Sequence, residues 1–470
     1  MFFHQRFVPG LAIASYLLGD EKTGEAVVVD PTRDVQPYID IAREENLHIK
    51  YILETHIHAD FVCGSLELQN SLSGHATICV SGHGGADWKQ PFADRELSEG
   101  DRLEVGSLNL EVIHVPGHTP EHIAFVVKDA SRNSDKPWFM FTGDFLFVGD
   151  VGRPDLLGED EKQKLANQLY DSVFDKIAKL PDYVEIFPAH GAGSLCGKAI
   201  GSRNSSTLGY ERRVSEAFKE TTREKWIETL LEDMPLSPSY FQRMKKINRD
   251  GPALLGSKRQ SVSRMPTKEF HRRVFENSLI LDVRSKEAFA AAHIPESINI
   301  PLGSNLPTWA GWVLPYDRPI VLVLEKASDL GEVWNHLIRV GFDRIEGFLE
   351  DGIEGWEQAG YPLNKVETET VSELRNHLND SRNGRTVVLD VRTEQEWDAG
   401  HIEGAVHIHG GEIKERFTEI PKDRPISVVC GSGYRASIAS SFLLRNGFDQ
   451  VSNVMGGMTA WKASDYETVS

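Results

Sequence analysis

The sequence predicts an α/β chain in three parts: a β-rich α/β unit followed by two copies of a doubly wound parallel α/β domain. Three observations lead there. The chain has 470 residues, which at roughly 100–200 residues per domain makes about three domains, each able to bury a core. Its C-terminal half repeats itself. Short apolar, β-rich runs alternate with helical patterns along most of its length, the signature of strands and helices in alternation.

The first unit is expected over residues 1–257. Strand-like runs come early (SYLLG, EAVVVD, YILET) and again later (LEVIHV, IAFVV, WFMFTG, VEIFPA), with histidines and aspartates where several of them end. A helix is expected over 160–179, where Leu165, Leu169, Val173 and Ile177 fall at helical intervals. A charged helical extension occupies 197–257, with helical patterns around 211–231 and 238–247. The polar, proline-containing stretch 256–268 has the composition of a linker.

The repeat follows. SLILDVRSKEAFAAAHIPESINI (278–300) returns as TVVLDVRTEQEWDAGHIEGAVHI (386–408). Asp282, Arg284, His293 and Ile294 match Asp390, Arg392, His401 and Ile402 at one constant offset. Farther on, DRPIVLVL matches DRPISVVC, and GIEGWEQAGYP answers GGMTAWKASDY. The copies are expected over 266–364 and 370–468, with LNKVETET (363–370) joining them. The short apolar runs ILDV, IVLVL, VLDV and ISVV between helical segments predict a parallel sheet with helices on both faces.

Composition narrows the partners. Hydrophobic residues make up 40% and charged residues 26%, with a net charge of −19. A field of that sign repels phosphates, so nucleic acid and anionic membrane are not expected partners. No run of about 18 apolar residues occurs, so no membrane-spanning helix is expected. The start lacks a basic stretch followed by a long apolar run, so no signal peptide is expected. Four cysteines, Cys63, Cys79, Cys196 and Cys430, with no CxxC pair, are too sparse for a disulfide scaffold or a structural zinc knot. The expected setting is the reducing cytoplasm, and the expected assembly a homo-oligomer, dimer or tetramer.

Two segments carry chemistry. The first opens with Thr55-His56-Ile57-His58-Ala59-Asp60-Phe61, just after the strand YILE, and continues through VPGHTPEH (His118), FTGDFLFVGD (Asp144), VGRPD (Arg153) and FPAHG (His190). Any one of the 17 histidines is by itself an ordinary surface or hydrogen-bonded residue. Imidazoles and carboxylates gathered at successive strand ends are different, because that is how a first-row divalent metal is held.

THxHxD followed by GHTP, TGD and PAH resembles the metallo-β-lactamase fold, which implies an αββα sandwich. Within that fold, ETHIHADF and GDFLFVGDVGRPDL are similar to the persulfide (sulfur) dioxygenases, especially multidomain bacterial ones with rhodanese modules. One departure matters. The usual motif is HxHxDH, and Phe61, which has no donor atom, stands in the last position. A second metal would lack a ligand there, so a single ion is favoured. The resemblance implies mononuclear iron(II) held by His56, His118 and Asp144, with three positions left for substrate and O2. It leaves His58, Asp60 and His190 as supporting residues or alternative ligands. The implied reaction turns a thiol persulfide and O2 into sulfite and the free thiol. Arg153 matches an arginine that the family places near the substrate, a structural salt bridge being the alternative. Cys196, in GSLCGK, is implied in persulfide handling, an inert buried thiol being the alternative. Arg203 and Asn204 are weaker candidates for holding the thiol carrier. Cys63 and Cys79 sit in apolar settings, as core residues do.

The second segment is Cys430-Gly431-Ser432-Gly433-Tyr434-Arg435, between the strand ISVV and the helical run ASIASSFLLRNGF. A cysteine at a strand-to-helix turn faces backbone N–H groups and the positive end of the helix, which stabilise a thiolate or an anionic persulfide. Gly431 and Gly433 let the loop curl, Ser432 and Tyr434 complete the cradle, and Arg435 closes it with positive charge. CxxxxR is one residue shorter than the loop of cysteine phosphatases. With LDVR, the HI turn and Trp461, the repeat resembles the rhodanese family, which implies that Cys430 carries a sulfane sulfur. In the first copy Leu324 stands where Cys430 stands in the second, so that copy is expected to be silent. Sulfite meeting a Cys430 persulfide would give thiosulfate. Two other readings stay open: a thioester hydrolase of the glyoxalase II kind on a dinuclear site, and a sulfur carrier whose metal is structural.

Overall fold

Alternation of apolar residues along the early strands puts one face of each in a common core. In the computed structural model, which describes residues 1–132, 135–219, 221–256, 258–379 and 386–470, twelve strands form two sheets in the first unit. The first sheet runs β1 (Phe2–Val8), β2 (Ile13–Asp20), β3 (Glu25–Val29), β4 (His48–Leu53), β5 (Thr77–Ser81) and β6 (Arg95–Leu97) in spatial order. The second contains β7 (Arg102–Val105), β8 (Leu108–His114), β9 (Ile123–Asp129), β10 (Phe139–Gly143), β11 (Glu185–Pro188) and β12 (Ser206–Thr207), again with sequence neighbours side by side.

One core lies between the sheets, with Tyr16, Leu18, Val27, Val29 and Leu53 facing Leu108, Leu110, Phe125, Phe139 and Phe141. The outer face of the first sheet is covered by α1 (Gln36–Glu44) and α2 (Ser65–Ser71), through Tyr38, Ala42 and Leu68. The outer face of the second is covered by α3 (Glu159–Asp171), α4 (Leu208–Val214) and α5 (Arg223–Leu231), through Ala166, Leu169, Leu208, Trp226 and Ile227. The result is the expected αββα sandwich. Each large apolar side chain so buried contributes about 1.5–3 kcal/mol.

The helix expected over 160–179 is α-helical only through Asp171; a wider turn covers Ser172–Lys176 and a tighter one Ile177–Lys179. The Ser172 hydroxyl donates to the Pro116 carbonyl at 2.8 Å, and the change of pitch keeps both Val173 and Ile177 buried. The pattern at 211–231, which includes residue 220 outside the described residues, is split between α4 and α5. The pattern at 238–247 becomes α6 (Phe241–Asp250). Position 257, where the first unit was expected to end, also lies outside the described residues.

The chain divides into two compact units, Met1–Leu255 with Ile338–Gly341, and Gly256–Leu337 with Phe342–Ser470. The second holds two five-stranded sheets, all parallel. Their central strands are Leu279–Asp282 and Ile320–Val323 in one, Val387–Asp390 and Ile426–Val429 in the other. The matched pairs do matched work. Arg284 Nη2 meets Asp282 at 2.6 Å and the Ala292 carbonyl at 2.8 Å; Arg392 Nη2 meets Asp390 at 2.6 Å and the Gly400 carbonyl at 3.0 Å. The DVR segments are therefore buried straps inside each copy. Both stretches expected as linkers contain an edge strand, Ser263–Met265 and Glu367–Glu369. Among the described residues no helix is long and apolar enough to cross a membrane.

Candidate active site

Strand β4 ends at Leu53, and the chain turns at Glu54 and Thr55 into the HxHxD segment. Asp30, at the end of β3, fixes that turn: Thr55 donates to it twice, from N–H at 2.7 Å and from Oγ1 at 2.9 Å. With its proton on Asp30, the Thr55 oxygen accepts from His56 Nδ1 at 3.0 Å. His118 and His190 are held the same way through Nδ1, by the Arg153 carbonyl at 3.0 Å and the Ala12 carbonyl at 3.2 Å. A histidine that donates Nδ1–H outward presents the Nε2 lone pair inward, the tautomer a metal requires.

All three Nε2 atoms converge on one carboxylate oxygen. Asp144 Oδ2 lies 3.7 Å from His56, 3.5 Å from His118 and 3.5 Å from His190. These gaps are shorter than two metal–ligand bonds of roughly 2.1 Å end to end, so one ion can bridge any of them. His118 Nε2, His190 Nε2 and both oxygens of Asp144 and Asp60 are buried without a hydrogen-bond partner. Each such atom costs about 1–3 kcal/mol if left unmet, and a cation held within one cluster would meet the atoms of that cluster. Burial and the neighbouring imidazoles push His56 well below the usual histidine range, and burial lowers His118 as well; both are neutral and ready to ligate. The donor set fits a divalent metal.

Among the described residues the ligand atoms fall into three clusters: His56, His118 and Asp144; Asp60, His190 and Cys196; and Asp30, Glu54 and His58. His58 Nε2 stands 3.2 Å from Asp30 and 3.3 Å from Glu54. Burial alone would depress His58, and the two acids hold it well above its usual range instead. Phe61 is fully buried with its ring 4.4 Å from that of His58. Cys196 is buried as well, and burial with the Asp60 and Asp144 carboxylates raises its thiol well above the ordinary cysteine value. Burial likewise raises Cys63 strongly and pushes Cys79 up to about 12.

Arg153 is 1% exposed, and its guanidinium is engaged by Asp155 (2.7 Å twice), the Leu195 carbonyl (3.0 Å) and the Pro235 carbonyl (2.6 Å). It reaches the metal cluster through its backbone, whose carbonyl orients His118 and whose N–H donates to the Cys196 carbonyl at 3.2 Å. Arg203 and Asn204 are exposed.

His122 was not singled out from the sequence, although it closes the segment VPGHTPEH. Its Nε2 accepts the Asp144 N–H at 2.9 Å, and its ring stacks on His56 with centroids 4.7 Å apart. Gly143 allows this packing. Its φ is +54°, and a Cβ there would lie 2.6 Å from Thr55 Oγ1 and 2.7 Å from His122 Nε2.

In the second unit, Cys430 follows the strand Ile426–Val429 and is 1% exposed. Gly433, left-handed at φ +96°, caps the helix Tyr434–Arg445 and directs its N–H to Cys430 Sγ at 3.1 Å. Arg435 pairs with both oxygens of Glu396 at 2.5 and 2.7 Å. Although burial opposes ionisation, that pairing holds the Glu396 carboxyl at about 2. In the first copy the matching strand Ile320–Val323 is followed by Leu324, which has no nucleophilic atom.

The family profile described as Metallo-beta-lactamase superfamily matches residues 8–190. A metallo-beta-lactamase structure from Staphylococcus aureus is 39% identical, covering 74% of this chain and 98% of that one, at a TM-score of 0.66. The chain belongs to the metallo-β-lactamase superfamily. The rhodanese-like domain profile matches twice, at 266–359 and 370–464, so this superfamily member carries two rhodanese-like domains. Human mitochondrial persulfide dioxygenase ETHE1 is 36% identical over 187 residues, 40% of this chain and 66% of that protein's length. A cytoplasmic hydroxyacylglutathione hydrolase from Arabidopsis thaliana is 31% identical over 177 residues, 37% of this chain and 62% of that protein. The chain thus spans about two thirds, or slightly less, of the length of these two curated relatives.

The His122 contact has a measurable consequence. His122→Ala leaves the Asp144 N–H without an acceptor and lets the carboxylate drift. Metal retention against a chelator is expected to fall about tenfold or more, the range for losing a group that orients a ligand. His122→Gln, which keeps an acceptor, is expected to recover part of it.

Proposed function

We propose that the N-terminal domain is a persulfide dioxygenase and that Cys430 exchanges sulfur with its product. Overall, R-S-SH, O2 and H2O become R-SH, sulfite and two protons, where R-SH is a low-molecular-weight thiol such as glutathione. The observation that carries the reading is the His56–His118–Asp144 cluster, two neutral imidazoles and one acid in which His118 Nε2 and both Asp144 oxygens are buried and unmet, together with Phe61 where a further histidine would stand. These three residues would hold a single Fe(II). When bound, that ion supplies an open coordination face and the redox chemistry that O2 requires. The chain itself supplies orientation: Thr55 and the Arg153 carbonyl aim His56 and His118, and His122 holds the Asp144 backbone. Buried Phe61 and Phe147, with rings 4.4 Å from His58 and 6.2 Å from His190, add apolar surface beside these histidines.

Sulfite then meets Cys430. A persulfide there, Cys-S-S⁻, gives its outer sulfur to sulfite: the S–S bond breaks, its electron pair stays on Cys430, and thiosulfate leaves. Gly433 N–H on Sγ and the helix start behind it stabilise the anion in both states.

A second reading draws on the Asp60–His190–Cys196 cluster, which shares Asp144 as a neighbour and could hold a second ion in a thioester hydrolase. One experiment separates the two. Iron-loaded protein given glutathione persulfide in an oxygen electrode is expected to consume O2 and release sulfite or thiosulfate, with one metal per chain. Two zinc ions per chain, thioester hydrolysis and no oxygen uptake would overturn the dioxygenase reading.

A further inference from the structure

The sulfur on Cys430 is anionic as thiolate or as persulfide, and a sulfur oxyanion such as sulfite or thiosulfate brings more negative charge to it. The whole chain carries −19, so local cations decide whether such an anion can approach. Arg435 is the obvious one, yet both of its terminal nitrogens are engaged by Glu396, and that pair is neutral as a unit. A second cation comes from the other repeat. Lys286, at the start of the helix Lys286–Ala291 in the copy that lacks the cysteine, donates from Nζ to the Ser432 carbonyl at 3.0 Å. The same ammonium lies 3.5 Å from where a Cβ on Gly433 would stand. Ser432 and Gly433 belong to the Cys430 loop, and Gly433 is the residue whose N–H reaches Cys430 Sγ.

The charge on Lys286 is not cancelled as that on Arg435 is. Its acidic neighbour Glu287 is 3.7 Å away, with side chains 31% and 71% exposed, a pair of the weak, water-screened kind. The two repeats differ at these positions in the required sense. Glu394 in the second copy matches Lys286 in the first, and Glu396 matches Ala288. At this aligned position the Cys-less copy carries a cation and the other copy an acid. Contacts between the copies hold it in place: Tyr434 Oη donates to the Pro301 carbonyl at 3.2 Å, and Ser437 Oγ donates to Asn299 Oδ1 at 2.7 Å.

We propose that Lys286 is a specificity-determining residue of the Cys430 site, drawing a small dianionic sulfur oxyanion to the loop from the repeat that has no cysteine of its own. The proposal rests on the reading of Cys430 as a sulfur-transfer residue. In the direction easiest to assay, the Cys430 thiolate attacks the outer sulfur of thiosulfate. An S–S bond forms to Cys430, the S–S bond of thiosulfate breaks, and sulfite leaves with the electron pair; cyanide then takes the sulfur as thiocyanate and regenerates the thiolate.

The test is steady-state thiosulfate:cyanide transfer by the full-length protein. Lys286→Ala is expected to raise KM for thiosulfate about tenfold with kcat within about twofold, the pattern for losing binding rather than chemistry. Lys286→Arg is expected to restore KM, and Lys286→Glu to raise it further. Added salt is expected to raise KM in the wild type and to have a smaller effect in Lys286→Ala, because one screened attraction has gone. A Lys286→Ala variant with unchanged KM, beside wild-type transfer that Cys430→Ser abolishes, overturns the proposal and leaves sulfur transfer standing. A loss of kcat alone overturns it too, since that is a structural effect on the loop. Wild-type protein with no Cys430-dependent transfer overturns the underlying reading and the proposal with it.

Discussion

Asp144→Ala is expected to abolish oxygen uptake with persulfide and to leave the purified protein without its metal. Asp144 Oδ2 is the point on which the Nε2 atoms of His56, His118 and His190 converge, and it is the one anionic ligand of the proposed set. Removing it leaves facing imidazoles with nothing to balance a dication. Losing a residue that merely orients a ligand costs roughly 10–100-fold, so losing the ligand itself is expected to exceed about a hundredfold in activity. Asp144→Asn is the stricter variant. It keeps the shape and the backbone contact to His122 while removing the charge, and is expected to be nearly as inactive. Metal content by elemental analysis and the rate in an oxygen electrode check this. Thiosulfate:cyanide transfer in the same preparations is expected to match wild type, because Cys430 lies in the other compact unit. Full oxygen uptake by Asp144→Ala would remove the metal cluster from the mechanism.

The β-rich α/β character of the first unit was legible because buried strands carry a strong local signal, β2 being buried along its whole length and β3 along most of it; the sandwich itself was implied by the motif resemblance. β1 was not read, and its physics explains why. It is an edge strand of partly buried residues, FFHQRFV, with neither a clean alternation nor an apolar run. The edge strand Ser263–Met265 is three residues long and mostly exposed, and it exists by pairing with Gly347–Leu349, a contact no local pattern announces. The histidines and acids of the metal cluster were visible as residue types at strand ends. What aims them was not. His118 and His190 are oriented by the carbonyls of Arg153 and Ala12, and a carbonyl leaves no trace in the identity of its residue. Arg153 stands out in sequence for its charge, yet it meets the cluster through its backbone. At the Cys430 loop, the cysteine, glycines and arginine were all legible in one short segment, whereas Glu396 and Lys286 come from positions whose partners only the fold brings near.

Cys430→Ser is expected to lower sulfur transfer by at least about a thousandfold while leaving persulfide-dependent oxygen uptake intact. Serine is close to cysteine in shape and can accept the Gly433 N–H that now meets Sγ at 3.1 Å, so the loop keeps its form. What disappears is chemical: a hydroxyl near neutral pH is neither ionised nor able to hold a sulfane sulfur, and the first copy cannot substitute, with Leu324 at the matching position. Loss of a covalent nucleophile commonly removes several orders of magnitude. The variant also sorts the products. With persulfide and O2, wild-type protein charged with sulfur at Cys430 is expected to release thiosulfate, and Cys430→Ser to release sulfite in its place at an unchanged rate of oxygen uptake. Chromatography of the two oxyanions, run beside the oxygen trace, reads both halves at once. Equal thiosulfate from both proteins would place the sulfur–sulfur bond-forming step elsewhere, with Cys196, beside Asp60 and His190, the thiol to examine next. A parallel loss of oxygen uptake would mean instead that persulfide reaches the metal cluster only by way of Cys430, reversing the order in which the two sites act.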